Sequence, residues 1–325
     1  MPNAFGFDAS IGWVEEPTAW GTRTDPTAFQ EFISEALKKT IERVESPSTR
    51  GLSETRRPDY LITCAGPTEF EGIYEGQGIP LKHSFGAVAS AVEDVTAYKH
   101  TYTLADALPD GLTLTAYRGD DPAVTPQEHQ YFGATVASIT WTMNPNEALK
   151  VTYNWVAKDE SLQALTTVTF PDLSGALLIK GHHMSCEFDD AVTVIDSAEV
   201  TLDNGLDVGK RVMGNQFIAQ PVRSGRRKVT GTITKDWVSE AEYNLFVNGT
   251  ATKLEFIFTS PTNIAGSSTP YSYSLIIPDG RFDGETPGVS SPAIVKQPLP
   301  FYALSGGTGT SDAIYAEVVN ALTSI

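Results

Sequence analysis

Cysteine is almost missing from this 325-residue chain, which holds only Cys64 and Cys186. Two thiols without a recurring spacing exclude a disulfide framework; in a chain of this size such a pair more often stays reduced, as in a cytosolic protein. Basic residues are scarce as well, 23 against 40 acids, for a net charge of −17. That balance argues against gripping nucleic acid by phosphate neutralisation. It favours solubility, repulsion between free subunits, or a surface that must not hold a polyanion. No apolar run approaches the length that spans a bilayer, and residues 1–13 have neither the basic nor the apolar region of a secretory signal.

Catalytic and metal-binding patterns are equally thin. Of the five histidines, only His182-His183-x-x-Cys186 makes a candidate, and neighbours on a strand point to opposite faces. Gly306-Gly307-Thr308-Gly309 lacks the lysine of a phosphate loop and reads as a linker. Asp279-Gly280-Arg281-Phe282-Asp283 lacks calcium-loop spacing, and Asn248-Gly249-Thr250 reads as a helix stop rather than a glycosylation site. Arg118-Gly119-Asp120 is a tripeptide common by chance. No nucleophile, acid/base pair, cofactor motif or metal set emerges, so a scaffold is favoured over an enzyme.

What is present is alternation. In residues 135–158, Ala137, Ile139, Trp141 and Met143 share one face. After the turn Asn144-Pro145-Asn146-Glu147, Leu149, Val151, Tyr153 and Trp155 do the same. Two period-2 runs joined by a Pro/Asn turn predict a β-hairpin with one buried face and one Ser/Thr/Asn face. Further strands are expected at 60–64, 68–74, 99–104, 112–117, 165–170, 176–180, 191–202, 228–236, 253–259, 271–277 and 294–304. Short helices are expected over 78–89 and 240–247. The second of these has a capping box at Ser239-Glu240-Ala241-Glu242, a Val238–Tyr243 staple and a stop at Asn248-Gly249. Residues 27–44 have helical spacing but also suit an extended segment. Ile314, Val318, Val319 and Leu322 predict a C-terminal amphipathic helix.

Length favours two domains, and 41% hydrophobic residues supply a core. Aligning the two short helices yields a repeat. In each half a strand, an Arg-bearing loop (46–58 or 204–227) and a second strand precede the helix, and three strands follow it. This order favours the extended reading of 32–45. The expectation is a mainly β protein of two tandem β-sandwich or barrel units, each with one flanking helix. The divisions are an N-terminal arm (1–26), first unit (27–160), second unit (161–305), and linker with C-terminal helix (306–325).

The chain resembles the tail tube (major tail) proteins of long-tailed bacteriophages over residues 10–305. The resemblance rests on Trp20-Gly21-Thr22, Ser34-Glu35-x-Leu37 leading to Arg50-Gly51, and Arg226-Arg227-Lys228-Val229-Thr230-Gly231-Thr232-Ile233. Tyr273-Ser274-Leu275-Ile276-Ile277-Pro278 and Pro300-Phe301-Tyr302-Ala303-Leu304 complete it. It implies β-sandwich units whose sheets join into a barrel, rings stacked into a hollow tube, and passage of phage DNA without specific binding. Self and other tail proteins at the tube ends would be the partners, the virion tail the location, and no membrane or cofactor is involved. Two units per chain imply a trimeric, pseudo-hexameric ring, with a true hexamer as the alternative. Glu187, Asp189, Asp190 and Glu199 are candidate lumen-lining acids. Arg50, Arg56, Arg57, Arg223, Arg226 and Arg227 mark the loops expected between subunits or rings. The competing expectation is a carbohydrate-binding adhesin stacking sugars on Trp13, Trp20 and Trp237.

Overall fold

A computed structural model describes residues 8–17, 19–47, 56–119, 127–166, 177–284 and 294–325, and strands dominate them. In chain order, β1 (Ser10–Glu15), β2 (Ala28–Gln30), β3 (Ser34–Glu35), β4 (Lys38–Arg43) and β5 (Asp59–Glu71) lead into helix α1 (Gly78–Phe85). Then come β6 (Gly86–Asp94), β7 (Ala97–Leu104), β8 (Leu112–Tyr117), β9 (Gln127–Met143), β10 (Lys150–Ala157) and β11 (Asp159–Ala164). The second half opens with β12 (Met184–Phe188), β13 (Ala191–Thr193), β14 (Ser197–Asp203), β15 (Leu206–Asp207), β16 (Val222–Arg223) and β17 (Lys228–Asp236). Helix α2 (Ala241–Asn248), β18 (Thr252–Asn263), β19 (Pro270–Phe282), β20 (Lys296–Ala303) and β21 (Tyr315–Asn320) complete the chain.

The alternation of 135–158 forms the β9–β10 hairpin, in register at Thr140↔Thr152, with Ile139, Trp141, Tyr153 and Trp155 buried. This hairpin lies inside a first antiparallel sheet of order β4–β5–β10–β9–β14–β17–β20. A second sheet runs β6–β7–β21–β19–β18–β12–β13. The two face each other across one core. Trp141 of the first sheet donates its indole N–H to the Tyr273 hydroxyl of the second at 2.8 Å, which satisfies two polar atoms that burial would otherwise leave unpaired.

Strand β19 joins the layers. Along one edge it pairs with β18; along the other, Ser272–Ile276 pairs with β21 and Gly280–Phe282 with β20. A smaller sheet, β2–β1–β8–β9–β11, uses the N-terminal part of β9. At Gly133 (φ 65°) β9 leaves it for the first sheet; a Cβ there would lie 2.9 Å from Lys158 Cβ and 3.0 Å from Trp20. Each half repeats a strand, short helix and antiparallel hairpin: β5–α1–β6–β7 and β17–α2–β18–β19.

Several expectations are corrected. The C-terminal helix is a strand: Ala316 and Val318 face the core, and the edges of β7 and β19 capture β21 between them. The N-terminal arm is part of the fold over β1, which pairs with β2 and β8 and buries Trp13. Residues 60–64 and 68–74 are not two strands, because β5 runs on through Gly66-Pro67. The first helix stops at Gly86, and β6 follows at once. Helix α2 stops at Gly249 (φ 58°), as its glycine demands. Its capping box is absent: Glu242 turns inward to Lys235, and Val238 is 81% exposed instead of stapling Tyr243. Of the strand expected at 165–170, residues 167–170 lie outside the described residues. Of that expected at 176–180 only residue 176 does, and the rest makes two isolated antiparallel bridges, Leu178 with Ile73 and Lys180 with Ala148, instead of a strand.

Glu15 staples β1 to α1, accepting from Lys82 Nζ at 2.7 Å and His83 Nε2 at 3.0 Å. The hydrogen bond from His83 chiefly, then Lys82, holds its carboxyl down at about 2. Burial outweighs the pull of Glu15 and lowers the His83 pKa, which favours the neutral ring. A depressed carboxylate contributes stability above its ordinary pKa of 4.5 and loses it as pH falls toward 2. A histidine buried neutral loses stability in the same direction. Glu15→Gln is therefore expected to flatten the fall in melting temperature between pH 4.5 and 2, read by thermal denaturation across that range.

Candidate assembly surfaces

The outward side of the first sheet is a polar face built by the same alternation that fills the core. One row across it reads Glu69, Thr152, Thr140, Thr201, Thr230 and Tyr302. The next reads Glu71, Lys150, Thr142, Glu199, Thr232 and Pro300. Threonine suits such a face: its branched Cβ fits the pleat and its hydroxyl stays solvated or pairs across strands, as Thr140 and Thr201 do at 2.9 Å. Lys150 is tied to Glu147 at 2.8 Å.

The four candidate acids do not share one surface. Glu199 stands exposed on the polar face, between the inward-facing Ala198 and Val200. Glu187 lies on β12 of the opposite sheet, where Cys186 and Phe188 take the inward positions. Asp189 and Asp190 form the β12–β13 turn, both at positive φ. Glu187, Asp190 and Glu255 offer carboxylate oxygens within 4.8 Å of one another. Lys253 bonds to Asp190 and to Glu255, each at 2.9 Å, and these two carboxylates raise its pKa. An ammonium already occupies this acidic cluster.

The arginines separate in the same way. Arg50 lies outside the described residues, while Arg56 and Arg57 are exposed just ahead of β5. Arg223 and Arg227 turn inward to the loop after β7, donating to the carbonyls of Asp106 (2.7 Å) and Ala105. Burial lowers the Arg223 pKa. Arg226 points to solvent.

Arg223, Arg226 and Arg227 close a loop that leaves β14 at Asp203 and crosses the strand ends as far as β5. There Arg211 donates to the Ile62 carbonyl at 3.1 Å and the Thr63 hydroxyl at 2.8 Å. The Ile62 amide donates to the Gln216 carbonyl at 2.9 Å, and Ile218 is buried. At the tip of this anchored loop Met213 is fully exposed, with Val208 and Val212 beside it. Sequence reading missed Met213, since a lone methionine in a Gly-rich stretch carries no periodicity.

Chemistry stays sparse among the described residues. His182 and His183 lie in a short 3-10 turn rather than on a strand, with ring centroids 4.4 Å apart. Cys64 and Cys186 are free and buried, and desolvation pushes both thiols up to about 12. Arg118 is held by Glu35, Leu37 and Tyr131. Trp13 is buried and Lys158 sits over the Trp20 ring, so neither indole offers a sugar platform. No helix among the described residues is long and apolar enough to cross a membrane.

A family model described as phage tail tube protein matches residues 6–303. No curated protein matches the chain.

Arg211→Ala removes two donors that pin the loop, and about 1–2 kcal/mol of local stability should go with them. Faster amide exchange and proteolytic nicking over 208–219, with an unchanged core, are the expected readouts.

Proposed function

From the premise that the chain belongs to the phage tail tube protein family, and is a structural protein of the virion tail that self-assembles with other tail proteins as neighbours, we propose a ring-forming subunit. Its rings stack into a hollow conduit for DNA ejection. The observation that carries this reading is the uninterrupted polar face of the first sheet. In these rows threonine dominates, three acids (Glu69, Glu71, Glu199) stand against one base, and that base, Lys150, is already held by Glu147. Phosphates therefore find little to grip, and DNA slides past.

Three chains with seven strands each in this sheet supply about 21 strands. At about 4.8 Å spacing and about 45° tilt these give a circumference near 140 Å and a backbone diameter of about 45 Å, which leaves room for a duplex. The repeat of strand, helix and hairpin supports a trimer with pseudo-sixfold symmetry, the first unit at 27–160 and the second at 161–305. A true hexamer is the other stoichiometry. Three chains of −17 carry −51 per ring. In this arrangement Glu199, with Glu69 and Glu71, faces the lumen, whereas Glu187, Asp189 and Asp190 belong to the opposite side. The loops at 46–58 and 204–227 are the contact elements between subunits.

Negative-stain microscopy of the purified protein is expected to show rings or hollow tubes. Light scattering on isolated rings should give about 105 kDa, from three chains of 35.1 kDa. Persistent monomers at high concentration would count against the reading, and twice that ring mass would select the hexamer.

A further inference from the structure

The two ends of the first sheet differ in shape and charge. At one end the loop between β14 and β17 presents Met213, Val212 and Val208, held out by the Arg211 anchor. Residues 203–228 carry six bases (Lys210, Arg211, Arg223, Arg226, Arg227, Lys228) against two acids, in a chain whose net charge is −17. The other end is reached by following the same strands, β14 back to Ser197 and β17 on to Asp236, about 20 Å away at the rise of a strand. There Val192, Val194, Asp196, Lys235, Asp236 and Val238 line an open groove of about 400 Å³. Its apolar rim is bare: Val192 is 72%, Val194 86% and Val238 81% exposed. Residues 187–199 hold five acids and no base.

An exposed methionine on an anchored loop is a contact residue in waiting, because its flexible thioether fills irregular apolar hollows. A knob and a groove at opposite ends of one subunit form a heterologous contact that does not close on itself, and such contacts propagate into filaments. We propose that the Met213 tip of one copy seats in the Val194–Val238 groove of the next copy along the strand axis. This contact rests on the tube reading above and specifies how rings stack. At the groove Lys296 pairs with both Asp196 and Asp236, and Lys235 with Glu242, so the seat itself is largely neutralised. The acid excess of 187–199 around it meets the basic loop and sets the polarity of the stack: like ends repel, unlike ends attract. It also moves the contact from Arg223 and Arg227, which are committed within the subunit, to the apolar tip and Arg226.

The test pairs a disruption with a cross-link. Met213→Asp, at a fully exposed position, should keep the wild-type melting temperature and ring mass while tubes are lost. The double variant Met213→Cys/Val238→Cys, oxidised after assembly, should run on a non-reducing gel as a ladder of multimers. Each single variant should stay monomeric there, since Cys64 and Cys186 are buried. Wild-type tubes accompanied by no ladder, or Met213→Asp tubes of wild-type length, would overturn the contact and leave the tube reading standing. A wild-type chain that forms neither rings nor tubes would overturn both.

Discussion

Every strand must find partners for the main-chain groups along its two edges, and β19 meets that demand in a way that shapes the molecule. One of its edges is shared: β21 takes the first part and β20 the last. Through β21 it holds β7 and β6; through β20 it holds β17 and the sheet with the polar face. Without this division the two layers would be separate sheets meeting only through side chains. With it, Trp141 and Tyr273 are brought face to face across the core as members of one hydrogen-bonded system.

The same constraint explains the edges left open. Strand β4 carries Lys38, Lys39, Glu42 and Arg43, and β20 carries Pro298 and Pro300, so neither edge of the polar-faced sheet invites indiscriminate pairing. The Pro300 carbonyl, turned away from β17, accepts from the Asp283 amide at 2.8 Å. The free chain is thereby kept from adding strands at random, while the face between those edges stays uncommitted.

Much of the architecture was legible wherever a local pattern coincided with its three-dimensional role. The β9–β10 hairpin follows from alternation around a Pro/Asn turn, and α2 ends where Asn248-Gly249 demands a left-handed residue. Of the repeat, only the strand and short helix in each half were legible: the strands expected after the helices were 112–117 and 253–259, whereas the structure sets the β6–β7 hairpin opposite β18–β19. The misses share a cause, which is tertiary capture. Residues 315–320 have helical spacing, yet two waiting edges make them a strand. Residues 10–15 look like an unpatterned arm until β2 and β8 flank them. Glu242 has the position of a capping residue, yet a buried Lys235 draws it away. The candidate acids were grouped by nearness in sequence, but the β12–β14 segment crosses from one sheet to the other and parts Glu187 from Glu199.

The capture of β21 also orders events in time. His100 on β7 bonds through its ring to Asn320, 220 positions later, and among the described strands β7 has no other partner on that edge. At synthesis rates of about 5–20 residues per second, β7 waits on the order of 10–40 s for the strand that completes its sheet. A nascent chain in that interval has its first half made and its second sheet unfinished. A subunit that self-assembles once folded thus has translation itself as a brake, because the sheet that holds β7 stays unfinished until Asn320 has been made.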